Sequence, residues 1–191
     1  MNDPIALLAR WIDEAGGPNS IEAVAMCLAT AALNGAPSAR IVLLRGLDER
    51  GLRFYTSYLS RKGQELAANP LAATVLYWPH LQRQVRAEGS VSPLTGEESD
   101  EYFGARPRGH QVAAWASEQS EPLDSYATLE ERFAHFSDRF EGEEVPRPHS
   151  WGGYLLVPER IEFWQGRPNR MHERLLYTRS AGAWNLTRLQ P

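Results

Sequence analysis

The sequence predicts a mainly β fold, a barrel or sandwich with helices packed outside it in an α+β arrangement, and three observations predict it. Short runs rich in apolar, aromatic and β-branched residues are punctuated by hairpin signals at Asn34-Gly35, Asp48-Glu49-Arg50-Gly51 and Ser180-Ala181-Gly182. The stretches with helical spacing are short and interrupt the strands. No strand–helix–strand repeat is present, so a parallel sheet is not expected.

Taken in order, Asp3-Pro4 reads as an N-cap followed by proline at the first helical position, and Ile5, Leu8 and Ile12 recur at helical spacing. Gly16-Gly17-Pro18-Asn19 ends that helix. Strands are expected at 25–31, 38–47 and 52–57, joined by hairpins into an antiparallel meander. A helix follows from Ser60 until Asn69-Pro70 stops it. The segment 72–78, a turn at Pro79-His80-Leu81 and the segment 83–91 form a long hairpin. The segment 92–98 then starts a helix with acidic residues in its first turn. It is expected to carry Tyr102 and Arg106 on one face before Pro107 breaks it, and a short helix opens at Gly109-His110-Gln111. Residues 125–140 form an amphipathic helix with Leu129, Phe133 and Phe136 on one side, read as structural. The final strands begin near Trp151.

The totals bound the class. A chain of 191 residues with 42% hydrophobic and 23% charged residues is expected to form one domain over 1–191, with an N-terminal helix and linker at 1–20 and a hairpin at 175–191. A net charge of -4 argues against general nucleic-acid binding. The single cysteine, Cys27, lies in an apolar run and reads as a small buried hydrophobe, with no disulfide or cysteine metal cluster. Asp3, Arg10, Asp13 and Glu14 break any signal-peptide core and no run approaches a membrane span, so the expected location is the cytoplasm. The five histidines show no paired ligand spacing, and no metal is expected. There is no phosphate-binding glycine loop, dinucleotide fingerprint or nucleophile elbow.

Several cations stand where they need a reason. Arg61 and Lys62 occupy the first turn of a helix, whose dipole is already positive at that end. Either they face a bound anion or they bend away into solvent. Arg40 and Arg45 have opposite parity in a regular strand, so they serve two anions or one is a surface residue. Tyr102, Arg106 and the helix start at His110 form a second candidate phosphate site, or an interhelix polar cap. Gln84 can donate and accept toward the edge of a flavin- or pyrimidine-like ring, or is simply an exposed glutamine. Near the C-terminus, Arg170, His172 and Arg174 would share one face of an extended strand beside Trp164, as an anion site or simply as a wet face.

The motifs Arg-Ile-Val-Leu-Leu-Arg at 40–45, Phe-Tyr-Thr at 54–56, Ser-Arg-Lys at 60–62, Arg-Gln-Val at 83–85, Arg-Pro-Arg at 106–108, Glu-Gln-Ser at 118–120, Trp-Gly-Gly at 151–153, Glu-Phe-Trp-Gln-Gly at 162–166 and Arg-Met-His-Glu-Arg at 170–174 resemble the pyridoxamine 5′-phosphate oxidase family. The resemblance implies an FMN-binding split β-barrel and a homodimer with FMN in a cleft between subunits. By matched position, Arg40, Tyr55, Thr56, Arg61 and Lys62 would bind FMN from one subunit. Gln84, Gln119, Ser120, Trp164 and Arg174 would complete its site. Arg45, Tyr102, Arg106 and His110 would hold the substrate phosphate, and Arg170 with His172 would cover the pyridine ring as the catalytic pair. Arg45 and His110 stand where the family commonly has lysine and serine. The implied activity is oxidation of pyridoxamine 5′-phosphate, pyridoxine 5′-phosphate or both, with oxygen as acceptor and hydrogen peroxide as product. The alternatives are a sister FMN oxidase of another anionic aromatic, resembling phenazine-biosynthesis oxidases, and a non-catalytic flavin or pyridoxal-phosphate binding protein.

Overall fold

A computed structural model describes residues 3–191; residues 1 and 2 of the expected N-terminal segment lie outside the described residues. Helix α1, Pro4–Glu14, starts where the Asp3 side chain accepts a hydrogen bond from the Ile5 N–H at 2.9 Å, and it buries Leu7, Leu8, Trp11 and Ile12. One turn, α2 (Ile21–Val24), leads into β1 (Ala25–Ala31). Then come β2 (Pro37–Leu43), β3 (Gly46–Asp48), β4 (Gly51–Ser57), α3 (Arg61–Ala68), β5 (Leu71–Trp78) and β6 (Arg83–Pro93). Three helices follow, α4 (Gly96–Gly104), α5 (Arg108–Ala116) and α6 (Tyr126–Arg139), and the chain ends in β7 (Trp151–Gln165), β8 (Glu173–Ser180) and β9 (Ala183–Leu189).

The nine strands among the described residues join one antiparallel sheet in the order β2-β1-β5-β6-β7-β4-β3, with β8 on β7 and β9 on β8. The fifteen-residue β7 holds β4 with its first half and β8 with its second. The sheet curls into a half-barrel. Its two ends meet where the chain leaves β2: the Leu44 N–H donates to the Val24 carbonyl at 2.9 Å, and the next residue, Arg45, donates to the Arg53 carbonyl at 2.8 Å. Inward residues of alternate positions fill the interior, among them Met26, Leu28, Phe54, Leu76, Trp78, Val85, Leu156 and Phe163. Trp11 closes it from outside with an edge contact to Phe163 at 5.0 Å. Burying each such side chain contributes roughly 1.5–3 kcal/mol. A smaller cluster under the helices joins Phe103, Val112, Phe140, Val145 and Trp151.

The mainly β fold with outer helices is as expected, and four local expectations are corrected. The segment 38–47 is not one strand, because the chain must cross from one end of the sheet to the other at Leu44 and Arg45. The first strands therefore form no continuous meander: β2 pairs with β1, whereas β4 pairs with β3 and β7. Helix α4 ends at Gly104, so Arg106 lies just beyond it. Cys27 is half-buried on the outer face of the sheet, opposite Ile41 and Val75, and is not a core residue.

Candidate functional site

A cavity of about 920 Å³ opens between the unpaired edge of β2, the end of β4, the start of α3 and the helices α4 and α5. Sites for cofactors and small ligands typically enclose roughly 300–1,000 Å³. Two cation clusters line it.

The first cluster sits at the start of α3. Ser60 caps this helix by accepting from the Gly63 N–H at 3.3 Å. A Cβ at Gly63 would run into the carbonyls of Ser57 and Tyr58, so glycine lets the helix begin tight against the end of β4. That draws Lys62 inside, where it is 7% exposed. Its Nζ donates to Thr56 Oγ1 at 3.1 Å, Gln119 Oε1 at 3.1 Å and Ser60 Oγ at 3.3 Å. Burial, and then the charge of Arg40, lowers the Lys62 pKa. Arg40 Nη1 donates to the Leu28 carbonyl at 3.3 Å and to Thr30 Oγ1 at 2.6 Å, while its Nη2 meets Ser38 Oγ and, at 3.3 Å, Glu65 Oε2.

Glu65 is the carboxylate behind these cations. Burial opposes its ionisation, yet hydrogen bonds from Ser38, Thr30, Arg61 and Arg40 bring its pKa down to about 2 from an ordinary 4.5. A depressed carboxylate adds stability that is present above the unfolded value and is lost as pH falls through the folded one. Between pH 4.5 and about 2 the wild type is therefore expected to lose stability that Glu65→Gln does not lose, as read from denaturant unfolding at each pH.

The second cluster lies along the same cavity and comprises Arg45, Tyr102, Arg106 and His110. The Arg106 guanidinium stands 4.5 Å over the Trp151 ring, and its buried Nη1 has no hydrogen-bond partner among the described residues. Burial lowers its pKa, and the Arg45 charge adds to that. A buried donor left unmade costs about 1–3 kcal/mol, more when charged, and an incoming anion would recover it. Between the clusters the Tyr55 and Tyr102 rings stack at 3.7 Å and 9°, with Trp151 parallel to Tyr55 at 5.6 Å. Gly153 pairs with Tyr55 across β4 and β7, and a Cβ there would strike the Tyr55 ring.

A third group lies elsewhere. Register places Gln84 opposite Trp164 and Trp164 opposite Arg174, so these three side chains form one row across β6, β7 and β8. Their neighbours Val85 and Phe163 point into the barrel, which puts the row on the outer face. None of the three lines the cavity. Arg174 Nε donates to Glu162 Oε1 at 2.7 Å, which raises the Arg174 pKa. The His172 ring lies 4.7 Å from Trp164, and its Nδ1 accepts from the Arg167 N–H at 3.2 Å. The outer face continues through exposed Tyr77, 54% accessible, which pairs with Gln84, to Ile41 on β2, 65% accessible.

The sequence-predicted residues thus fall into two sets. Arg40, Arg45, Tyr55, Thr56, Arg61, Lys62, Tyr102, Arg106, His110, Gln119 and Ser120 surround one cavity, while Gln84, Trp164, His172 and Arg174 lie on the outer face. Gln119 and Ser120 belong with Lys62 rather than with Gln84, because the segment after α5 folds back over Thr56. The strand argument for Arg170, His172 and Arg174 does not hold: β8 begins at Glu173, and Arg170 sits in a turn with φ 60°. The parity argument for Arg40 and Arg45 also lapses, since β2 ends at Leu43. Both residues line one cavity, Arg40 beside Lys62 and Arg45 beside Arg106. Sequence reasoning missed Trp151 as a support for Arg106 and Glu65 as a support for Arg40 and Arg61. For Glu65 the spacing of four from Arg61 was the available signal.

No group of metal-ligating side chains is present among the described residues, and no described helix is long and apolar enough to cross a membrane. Residues 21–140 match the family model described as pyridoxamine 5′-phosphate oxidase, and residues 151–191 match that of the pyridoxine 5′-phosphate oxidase C-terminal dimerisation region. The chain is 56% identical to a pyridoxine/pyridoxamine 5′-phosphate oxidase of Rubrobacter xylanophilus, covering 99% of this chain and 87% of that one. It is 54% identical to one from Burkholderia multivorans, covering 99% and 89%. Among solved structures, PhzG of Burkholderia lata, crystallised with tetrahydrophenazine-1-carboxylic acid, superposes with a TM-score of 0.94 at 35% identity, over 100% of this chain and 94% of that chain. An FMN-binding protein of Nostoc punctiforme related to pyridoxamine 5′-phosphate oxidase shares the fold, at a TM-score of 0.75 and 19% identity, over 98% of this chain and 96% of that one. With two family models spanning its cavity and its outer row, and relatives matching over nearly its whole length, the chain belongs to the pyridoxamine 5′-phosphate oxidase family.

Proposed function

We propose that the protein is an FMN-dependent oxidase that converts pyridoxamine 5′-phosphate, pyridoxine 5′-phosphate or both to pyridoxal 5′-phosphate. The observation that carries this reading is the single cavity with two separate cation clusters, one for each of two phosphates. Arg40, Arg61 and Lys62 would hold the FMN phosphate, with Tyr55, Thr56, Gln119 and Ser120 around the cofactor. Arg45, Tyr102, Arg106 and His110 would hold the substrate phosphate. When bound, FMN supplies the two-electron acceptor, and oxygen turns it over with release of hydrogen peroxide.

The protein's own work is to bind, orient and exclude water. Gln84, Trp164 and Arg174 would complete the site from a second copy, since their row lies outside the barrel and runs into exposed Tyr77 and Ile41. A symmetric dimer sets such a face against its counterpart and forms two equivalent sites. The match of residues 151–191 to a dimerisation region supports that arrangement. His172 accepts from the Arg167 N–H at Nδ1, which leaves Nε2 as the atom to hydrogen-bond the substrate. Arg170, on the turn before it, would cover the ring. Arg170→Ala is expected to lower turnover roughly 10- to 100-fold with FMN still bound; unchanged turnover would remove this role.

A second reading, a sister oxidase of another anionic aromatic, draws on the likeness to PhzG. The pairing of two cations, Arg45 and Arg106, in one cluster suits a doubly charged phosphate better than a singly charged carboxylate, and against a non-catalytic binding protein stands the His172 and Trp164 pair beside the outer row. Adding pyridoxamine 5′-phosphate and then pyridoxine 5′-phosphate to the FMN-loaded protein without oxygen separates the readings. Bleaching of the flavin that reverses in air is the expected result, and a flavin that stays yellow with both contradicts the proposal.

A further inference from the structure

Four donors converge on one buried carboxylate at the back of the first cation cluster. Glu65 Oε2 accepts from Thr30 Oγ1 at 2.5 Å, Ser38 Oγ at 2.5 Å and Arg40 Nη2 at 3.3 Å, while Oε1 accepts from Arg61 Nε at 2.9 Å. The two arginines are thereby fixed from behind. Among the described residues none accepts from Arg40 Nε or from the Nη groups of Arg61, and both side chains line the cavity while Glu65 does not. With Lys62, three cations offset by one carboxylate leave a net charge of about +2, which matches the charge of about −2 on a phosphate monoester near neutral pH.

We propose that Glu65 is the positioning residue for the flavin phosphate: it holds Arg40 and Arg61 in their anion-binding geometry before FMN arrives. The inference rests on the reading of this cluster as the FMN phosphate site. Without that anchor Arg61 loses its one described hydrogen-bond partner and must be ordered each time the phosphate binds, while Arg40 loses one of four bonds and keeps those to Leu28, Thr30 and Ser38. Removing a negative charge also eases repulsion of the phosphate. That effect would tighten FMN where loss of the anchor weakens it, so the two have opposite signs and the titration separates them.

The test compares FMN with riboflavin, which has the same ring and no phosphate, by titrating each apoprotein and following flavin fluorescence. In the wild type, FMN should bind more tightly than riboflavin. In Glu65→Gln the FMN Kd should rise about tenfold while the riboflavin Kd stays put, since only the phosphate contact depends on the anchor. Glu65→Asp, which keeps the charge but shortens the reach, should weaken FMN in the same way and supplies the reading if the glutamine variant does not fold. In an Arg61→Ala background the effect of Glu65→Gln should shrink, because part of it passes through Arg61. Tighter FMN binding in Glu65→Gln, or equal weakening of both flavins, would overturn the positioning role alone. A wild type with no preference for FMN would overturn the assignment of the cluster as well.

Discussion

Replacing Arg106 by alanine is expected to lower kcat/KM for pyridoxamine 5′-phosphate by roughly 100-fold, the worth of a charge-assisted contact made where water is excluded. FMN should stay bound. The expectation follows from the geometry: the guanidinium stands 4.5 Å over the Trp151 ring, its Nη1 is buried with no acceptor among the described residues, and burial has already lowered its pKa. A phosphate delivered to that position gives the buried Nη1 an acceptor. Arg106→Lys should rescue little, because an ammonium is a point charge and lacks the planar fork that presents two donors to a phosphate. Steady-state kinetics with both substrates, alongside the flavin spectrum of the purified variant, checks this. A variant that kept its kcat/KM would remove Arg106 from the substrate site.

Lys62→Met is expected to weaken FMN by roughly 10- to 100-fold while leaving the apoprotein close to wild-type stability. The two halves of this expectation have different causes. Lys62 is a buried cation whose desolvation is offset by Thr56, Ser60 and Gln119, and methionine of similar length removes both the penalty and those bonds. For the anion nothing replaces the charge. Thermal melts with and without FMN should therefore show a normal apo Tm and a much smaller rise on adding FMN. An apo Tm that collapsed would make Lys62 a structural residue first.

What could be read from the sequence was local, and what could not was tertiary. The Asp3 cap, the hairpin of β5 and β6 and the acidic first turn of α4 depend on neighbours a few residues apart and appear where the sequence puts them. The cations at the start of α3 were legible as a conflict with the helix dipole, and the structure gives each a partner, Glu65 for Arg61 and Thr56 with Gln119 for Lys62. The sheet order was not legible, because it turns on Leu44 and Arg45 bonding to opposite ends of the sheet. Nor was the division of the site. Gln84, Trp164 and Arg174 are far apart in sequence and become one row only through register across three strands. The fold-back of Gln119 and Ser120 likewise depends on Ser120 adopting φ 78°, which nothing in its neighbours announces.

The division of the site between two faces of the chain is open to one direct measurement. Arg106→Ala damages only the cavity half, and Arg174→Ala only the outer row. Each pure variant should form pyridoxal 5′-phosphate poorly. If the variants are mixed in equal amounts, unfolded and refolded together with FMN, half of the dimers should be mixed. In each of those, one site draws an intact cavity from one copy and an intact row from the other, so activity should recover to about a quarter of wild type. Activity that stays at the level of the separate variants would contradict a site shared between two copies.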